Sequence, residues 1–160
     1  MELALKKPET DSELRGKAYV HWKSWQEAYS GIVEQKYLDE RTVERCEETA
    51  RQAKESTIIA KDGDRVVGFV MYGACRDEDL ENTGEVTALY VLADYYGQGI
   101  GYRLLSEALD RLRNYPRIAL WVFQKNERAI AFYKRQGFRF DGHRGNTQVH
   151  EPVVRMLLTR

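Results

Sequence analysis

The sequence has little of what would mark several specialised classes of protein. Basic and acidic residues number 25 each among 160, so the formal net charge is zero. No overall field therefore attracts nucleic acid or a membrane surface, and we expect neither as a partner. No stretch approaches the roughly 20 apolar residues of a membrane span. Residues 1–8 also lack the apolar run of a signal peptide.

Cysteine and histidine are also scarce. The two cysteines, Cys46 and Cys75, are not at a spacing typical of a metal site or a redox pair. A chain of ordinary size without a disulfide framework is typical of a reducing compartment, so we expect a cytoplasmic protein with no bound metal. The histidines, His21, His143 and His150, are titratable candidates, but none lies in a catalytic motif.

The most informative stretch is Gly84–Leu105, GEVTALYVLADYYGQGIGYRLL. Its first part, Glu85–Val91, is rich in β-branched and aromatic residues and predicts a strand. Gly97, Gly99 and Gly101 follow in a loop that leads into a helix with an apolar face. Glycine-rich backbone exposes its N–H groups, and a helix N-terminus favours negative charge. The turn therefore predicts a phosphate or pyrophosphate site.

Two familiar phosphate-binding motifs fit this turn poorly. A dinucleotide-binding turn requires Gly-x-Gly-x-x-Gly, and Tyr102 stands at the position of its last glycine. A Walker loop requires a lysine after the glycines, and none follows here. A tight strand–helix turn that binds no ligand is the remaining alternative.

A second motif lies downstream, at Asn126–Phe138, with the sequence NERAIAFYKRQGF. Asn126 predicts a helix N-cap and Gly137 a helix C-cap. Together the two stretches resemble the GCN5-related N-acetyltransferase (GNAT) superfamily, which carries Arg/Gln-x-x-Gly-x-Gly/Ala and Asn-x-x-Ala-x-x-Phe-Tyr-x-x-x-Gly-Phe. The second pattern is matched at every fixed position. The first is matched over Tyr96–Gly101, except that Tyr96 replaces arginine or glutamine, and the resemblance spans about Trp22–Phe140.

The order of predicted elements indicates an α/β fold. It is strand, two helices, three strands, helix, strand, helix and two strands, a mixed sheet with helices on both faces. The second helix is predicted over Tyr37–Lys54. The resemblance implies one GNAT domain over residues 1–160, with a mostly antiparallel sheet. In that fold the central strand and Ile118–Phe123 splay apart to admit the pantetheine arm of the cofactor.

The resemblance also implies the reaction. Acetyl-coenzyme A is the expected co-substrate, and its acetyl group is transferred directly to a primary amine on a small molecule or polyamine. The alternatives are acetylation of a peptide or protein N-terminus, or a coenzyme A-binding interaction module without turnover. We expect a small-molecule amine as partner, and the resemblance is compatible with a homodimer.

Site residues follow from the resemblance in the same way. Tyr133 occupies the position of a general acid near the sulfur, and a phenol is protonated at neutral pH. Glu85 is either a general base or a carboxylate that binds the fold or a neighbouring arginine. Trp25 and Tyr29 form either a wall of the acceptor site or part of the core. The residues assigned to the cofactor are Leu89, Tyr90, Val91, Tyr96, Gly97, Gln98, Gly99, Ile100, Gly101, Tyr102, Asn126 and Tyr133.

Two expectations concern neighbouring segments. Strand alternation places Glu85, Thr87 and Leu89 on one side of the central strand. The acidic connection, Asp77–Asn82, is either a solvated loop or a segment that concentrates cationic amines near the cleft.

Overall fold

The computed structural model describes all residues from Met1 to Arg160. Its strands are β1 (Leu3–Lys6), β2 (Thr57–Asp62), β3 (Arg65–Ala74), β4 (Thr83–Val91), β5 (Arg117–Phe123), β6 (Arg139–Asn146) and β7 (Pro152–Thr159). Its α-helices are α1 (Asp11–Tyr29), α2 (Gln35–Glu40), α3 (Val43–Gln52), α4 (Ile100–Arg111) and α5 (Glu127–Arg135). The predicted α/β class is therefore confirmed.

All the strands form one 7-stranded sheet in the order β1-β2-β3-β4-β5-β7-β6. Every neighbouring pair is antiparallel except β4 and β5. These two parallel strands pair only where Thr83–Glu85 faces Arg117–Ala119, and then they separate. From Val86 onward, the edge of β4 that faces β5 has no strand partner. The predicted mixed sheet with splayed central strands is confirmed.

Helices cover both faces of this sheet. On one face, α4 and α5 pack into a hydrophobic cluster that includes Val67, Leu104 and Tyr133. On the other face, α1 packs into a second cluster around Val66 and Phe69. Adjacent residues of β3 thus face opposite layers, as the pleat of a strand requires. None of the helices combines the length and apolar character needed to cross a bilayer.

The helix predicted over Tyr37–Lys54 is in fact two helices, α2 and α3. Arg41 and Thr42, which lie between them, have extended backbone with ψ of 137° and 151°. The Thr42 hydroxyl caps α3 by accepting a hydrogen bond from the Arg45 amide at 3.2 Å. The apolar pattern does not reveal this break, because it continues across the two extended residues.

The first helix is capped by Thr10, the residue directly before Asp11. The Thr10 hydroxyl accepts a hydrogen bond from the Glu13 amide at 3.1 Å. In return, the Glu13 carboxylate accepts one from the Thr10 amide at 3.1 Å. This reciprocal pair is a capping box, which satisfies two amides that the helix itself leaves free.

A bulge in β4 changes which residues face each layer. The register between β3 and β4 shifts at Thr87, which has no partner in β3. Leu89 therefore packs against the same cluster as Val86, and Tyr90 faces the layer of α1. The prediction that Glu85, Thr87 and Leu89 share one side of the strand is wrong, because an unpaired residue reverses the alternation after it.

Candidate active site

The glycine-rich turn has the geometry of an anion site. Gly97 and Gly99 adopt left-handed backbone, with φ of +77° and +79°, which residues with a Cβ rarely accept. Gly99 is the N-cap of α4 and provides no side-chain cap. The backbone amides of residues 97–102 donate to no backbone acceptor. A row of free N–H groups thus surrounds the positive end of the helix dipole, where a diphosphate is stabilised.

Side chains around the turn add to this site. Gln98 and Tyr102 are exposed beside it. Tyr96, the residue that departs from the family pattern, has the Arg128 guanidinium carbon 3.5 Å from its ring centroid. Arg128 lies in the first turn of α5, so Tyr96 holds a cation next to the position where the motif usually supplies one. Sequence reasoning missed Arg128, although its place two residues after the Asn126 cap was visible.

The free edge of β4 runs from this turn into the gap between β4 and β5. Leu89, Tyr90 and Val91 pair with β3 on one side and with no strand on the other. An extended ligand with amide groups can therefore add to β4 as a strand would. Asn126 borders α5, and its side chain caps that helix by accepting from the Ala129 amide at 3.2 Å.

Three tyrosines come together where the gap meets the core. The Tyr29 and Tyr90 hydroxyls lie 2.9 Å apart and share a hydrogen bond. Burial raises the pKa of Tyr133, and the proximity of Tyr90 raises it further. Burial likewise raises the pKa of Tyr29 well above its usual value, with smaller contributions from Tyr90 and Tyr133. All three phenols therefore keep their protons through the neutral range.

Tyr133 is positioned by the apolar residues around it. Its ring packs edge-on against Phe132 and Phe138, with centroid distances of 5.4 Å and 5.8 Å. Phe138 is fully buried and follows Gly137, which lies just after the C-cap of α5 and has a left-handed φ of +101°. The Phe-Tyr and Gly-Phe pairs of the motif thus fix the orientation of one phenol.

Glu85 is buried at the beginning of β4, with 2% of its surface exposed. Its Oε1 accepts hydrogen bonds from the Arg76 amide at 3.2 Å and from Arg76 Nε at 3.5 Å. Its Oε2 accepts one from Arg76 Nη2 at 3.2 Å. The contact with a neighbouring arginine, one of the two roles left open above, is therefore present. A carboxylate offers about four acceptor positions, so room remains for one further donor such as water.

The two predicted acceptor residues of α1 differ in burial. Tyr29 is 8% exposed and packs with Val33, Leu38 and Phe123, so its ring belongs to the core. Trp25 is half-buried and lines a groove of about 490 Å³ on the α1 face of the sheet. The Tyr29 ring stands edge-on behind Trp25, at a centroid distance of 4.8 Å. Trp25 thus lines the groove, and Tyr29 supports it and reaches Tyr90.

The acidic connection between β3 and β4 is held against the sheet. The guanidinium of Arg155, which is 2% exposed, donates to Asp77 at 3.1 Å and to both carboxylate oxygens of Asp79 at 2.8 and 2.6 Å. It also donates to Asp141 at 2.6 Å. The Trp121 indole N–H donates to Asp77 at 2.9 Å. One buried arginine in β7 thus pairs with three carboxylates and ties the connection to the sheet.

Of the three histidines, only His21 lines the groove. Burial lowers its pKa to about 3, and the charges of Lys17 and Arg41 add to this shift. The ring is therefore neutral at physiological pH. His143 lies 3.5 Å from Asp79, and His150 packs near Tyr37 in the connection between β6 and β7.

Comparisons with known proteins agree with this geometry. The chain matches the Acetyltransferase (GNAT) family over residues 20–138. It is 30% identical over 131 residues to a probable N-acetyltransferase of Mycobacterium tuberculosis, covering 78% of this chain and 74% of that protein. It is 36% identical over 83 residues to a probable spermine N(1)-acetyltransferase of Bacillus subtilis subsp. natto, covering 48% of this chain and 55% of that protein.

A solved structure extends the likeness to the whole fold. The PaiA N-acetyltransferase from Thermoplasma acidophilum, in complex with coenzyme A, superposes with a TM-score of 0.75 at 20% identity over 100% of both chains. The family match covers both motifs and the splayed strands between them. This chain belongs to the GNAT family and is an N-acetyltransferase.

Proposed function

We propose that this protein transfers the acetyl group of acetyl-coenzyme A directly to a primary amine. One observation carries the proposal: a row of free amides, an unpaired strand edge and a buried phenol border the same gap between β4 and β5. Diphosphate, pantetheine and thioester follow one another in coenzyme A in that order. The superposed PaiA enzyme, whose complex contains coenzyme A, supports the same co-substrate for this chain.

The backbone amides of residues 97–102 bind the diphosphate, and Arg128 adds a positive charge beside it. The pantetheine amides pair with Leu89, Tyr90 and Val91. A guanidinium beside a diphosphate forms charge-assisted hydrogen bonds, which are about twice as strong as neutral ones. The cation that the motif usually carries on the turn is therefore supplied here from α5, through its contact with Tyr96.

The chemical step makes a C–N bond and breaks a C–S bond. The amine attacks the thioester carbonyl, and an N–H near Leu89–Val91 stabilises the oxyanion that develops. As the intermediate collapses, the sulfur leaves with the electron pair of the C–S bond and needs a proton. Tyr133 supplies it, since burial keeps this phenol protonated.

The amine must also lose a proton, and Glu85 is the base that we propose for this role. Arg76 occupies part of its carboxylate, so transfer passes through a water at the remaining acceptor position. If Glu85 is only structural, the amine reaches the site already deprotonated by solvent. The two mechanisms differ in their pH–rate profiles.

The acceptor has three candidate classes. A small amine is the first, and the spermine N(1)-acetyltransferase relative makes a polyamine the second. A peptide N-terminus is the third. All three classes present a primary amine, and the open groove has room for each. A coenzyme A-binding module without turnover requires no acceptor, and the protonated phenol at the gap argues against it.

Calorimetric titration of the purified protein with acetyl-coenzyme A tests the cofactor site, with NADH and ATP as controls. We expect saturable binding of acetyl-coenzyme A and much weaker binding of either control, because only coenzyme A has a pantetheine arm for the β4 edge. Absence of binding by folded protein, or equal binding of all three, would contradict the proposal.

A further inference from the structure

The groove on the α1 face has an unusual charge balance. Its lining includes two arginines, Arg41 and Arg76, and no carboxylate residue. Arg76 is paired with Glu85, at 3.2 Å between Nη2 and Oε2. Arg41 has no acidic partner, so it is the uncompensated charge of the groove. His21, Trp25, Met71 and Tyr90 also line it.

Arg41 is held rigidly but is not satisfied. Its guanidinium stacks on Trp25, with 3.8 Å between the guanidinium carbon and the ring centroid. Its Nη2 lies 3.3 Å from His21 Nε2 and 3.9 Å from Cys46 Sγ. Its Nε is buried and has no hydrogen-bond partner. A buried donor without a partner is unfavourable in a folded protein.

His21 presents a second unfilled donor beside the first. A guanidinium can only donate, so His21 Nε2 must accept from Arg41. The neutral ring then carries its proton on Nδ1, and Nδ1 is buried without a partner. Three residues that line the groove, His21, Trp25 and Arg41, thus each have a buried N–H group without a partner, and Arg41 is the one among them that carries a positive charge.

Lys17 adds a further positive charge beneath the groove. It is 0% exposed, with its Nζ 4.4 Å from the Phe69 ring centroid and 3.4 Å from Met71 Sδ. No carboxylate lies within ion-pair distance of it, and burial lowers its pKa to about 8. Charges in a low-dielectric wall raise the local concentration of ions of opposite sign. This groove therefore attracts anions and repels polycations.

We propose that the acceptor amine carries a carboxylate, which pairs with the Arg41 guanidinium while the amine approaches Tyr90. This inference rests on the proposed function and names its substrate class. Tyr90 lines the same groove and shares a hydrogen bond with Tyr29, so the anion site and the site of transfer open into one space. A carboxylate neutralises Arg41, whereas a polyamine adds positive charge beside it.

A matched panel of acceptors tests the proposal. Glycine and β-alanine are compared with their carboxamides, with spermine, and with short peptides that begin with acidic or neutral residues. Thiol release from acetyl-coenzyme A gives kcat/KM for each. We expect each carboxylate to exceed its neutral amide by about 10- to 100-fold, the range of a hydrogen bond to a charged group. Faster reaction of amino acids than of acidic peptides indicates a small-molecule acceptor, and the reverse indicates a peptide N-terminus.

Arg41→Gln should remove this preference, mainly through KM, and leave the affinity for acetyl-coenzyme A unchanged. Arg45→Gln is the control, since it deletes the same charge from an exposed position in α3. Thermal melting checks that both variants fold. Equal rates for acid and amide, or spermine as the best acceptor, would overturn the proposal.

A binding measurement separates this inference from the proposed function. Glycine is titrated into the complex of the protein with coenzyme A, in wild type and in Arg41→Gln. Binding that depends on Arg41 without any turnover would uphold the anion site and contradict the catalytic proposal. If neither glycine, β-alanine nor the acidic peptides bind or react, the anion site itself is refuted.

Discussion

At the scale of single residues, Tyr133 is the group whose chemistry depends most on burial. The apolar layer around α5 raises its pKa, and Phe132 and Phe138 fix its ring. We expect Tyr133→Phe to lower kcat by about 100-fold or more, the usual contribution of a general acid. The measurement is the steady-state rate of thiol release, beside calorimetry that should show unchanged affinity for acetyl-coenzyme A. A rate equal to wild type would exclude Tyr133 from the acid role.

Glu85 calls for a measurement that distinguishes a base from a structural ion pair. A base must be unprotonated, so its loss removes the fall in kcat/KM at acidic pH. The acceptor amine produces a fall of its own, which moves when an amine of different pKa is used. The part of the fall in kcat/KM that lies at the same pH for both acceptors comes from the enzyme. We expect Glu85→Gln to abolish that part. Arg76→Gln is the control, because it removes the ion pair and keeps the carboxylate. An unchanged profile in Glu85→Gln would show that solvent deprotonates the amine.

At the scale of elements, one contact between side chains joins the segment before the glycine-rich turn to the first turn of α5. Tyr96 holds Arg128 beside the amides of the turn, 3.5 Å from ring centroid to guanidinium carbon. We expect Arg128→Ala to raise the Kd of acetyl-coenzyme A about 10-fold, as expected for a hydrogen bond to a charged group, with kcat little changed. Arg135→Ala, at the other end of α5, should leave the Kd unchanged. If the two variants behave alike, the Arg128 guanidinium does not contact the diphosphate.

The first turn of α1 has a pH-dependent contribution to stability. Burial would raise the pKa of Glu13, but hydrogen bonds from Lys6, Lys61 and the amides of Glu9 and Thr10 outweigh it and lower the pKa far below its usual range. A lowered pKa stabilises the fold above the unfolded value of about 4.3, and this contribution disappears as the pH falls toward the folded value.

We therefore expect Glu13→Gln to lower the free energy of unfolding by about 2 kcal/mol at pH 7, the combined size of a lost cap and charged hydrogen bonds. Urea denaturation at pH 7 and pH 3 should show this difference shrinking in acid. Glu9→Gln is the control, since its side chain is 72% exposed and its ion pair with Lys6 is superficial. A difference that stays constant with pH would contradict the assignment.

At the scale of the whole molecule, the features that the sequence predicts correctly are those that depend on the backbone preferences of a few neighbouring residues. The glycine turn, the Asn126 cap and the left-handed Gly137 all lie at their predicted positions. Each of these features depends on the conformational preference of one or two residues, which the sequence displays directly.

Features that depend on contacts between residues far apart in the sequence were not predicted. The Thr87 bulge is defined by its register with β3, and Arg155 collects carboxylates from two other segments of the chain. The Arg128–Tyr96 contact joins α5 to the segment that leads into the glycine-rich turn, and Arg41 lacks an ion-pair partner because no acidic residue lines the groove. Periodicity along one segment contains no information on such pairings, so the charge of the groove that Trp25 lines became visible only in the folded chain.

The central claim is direct transfer between two bound substrates, and initial-rate kinetics test it most directly. Thiol release is measured while acetyl-coenzyme A and β-alanine, or the best acceptor of the panel, are varied together. Direct transfer predicts intersecting double-reciprocal lines, and a protein mass that is unchanged after incubation with acetyl-coenzyme A alone. Parallel lines, together with a protein heavier by one acetyl group, would show a covalent intermediate and contradict the account.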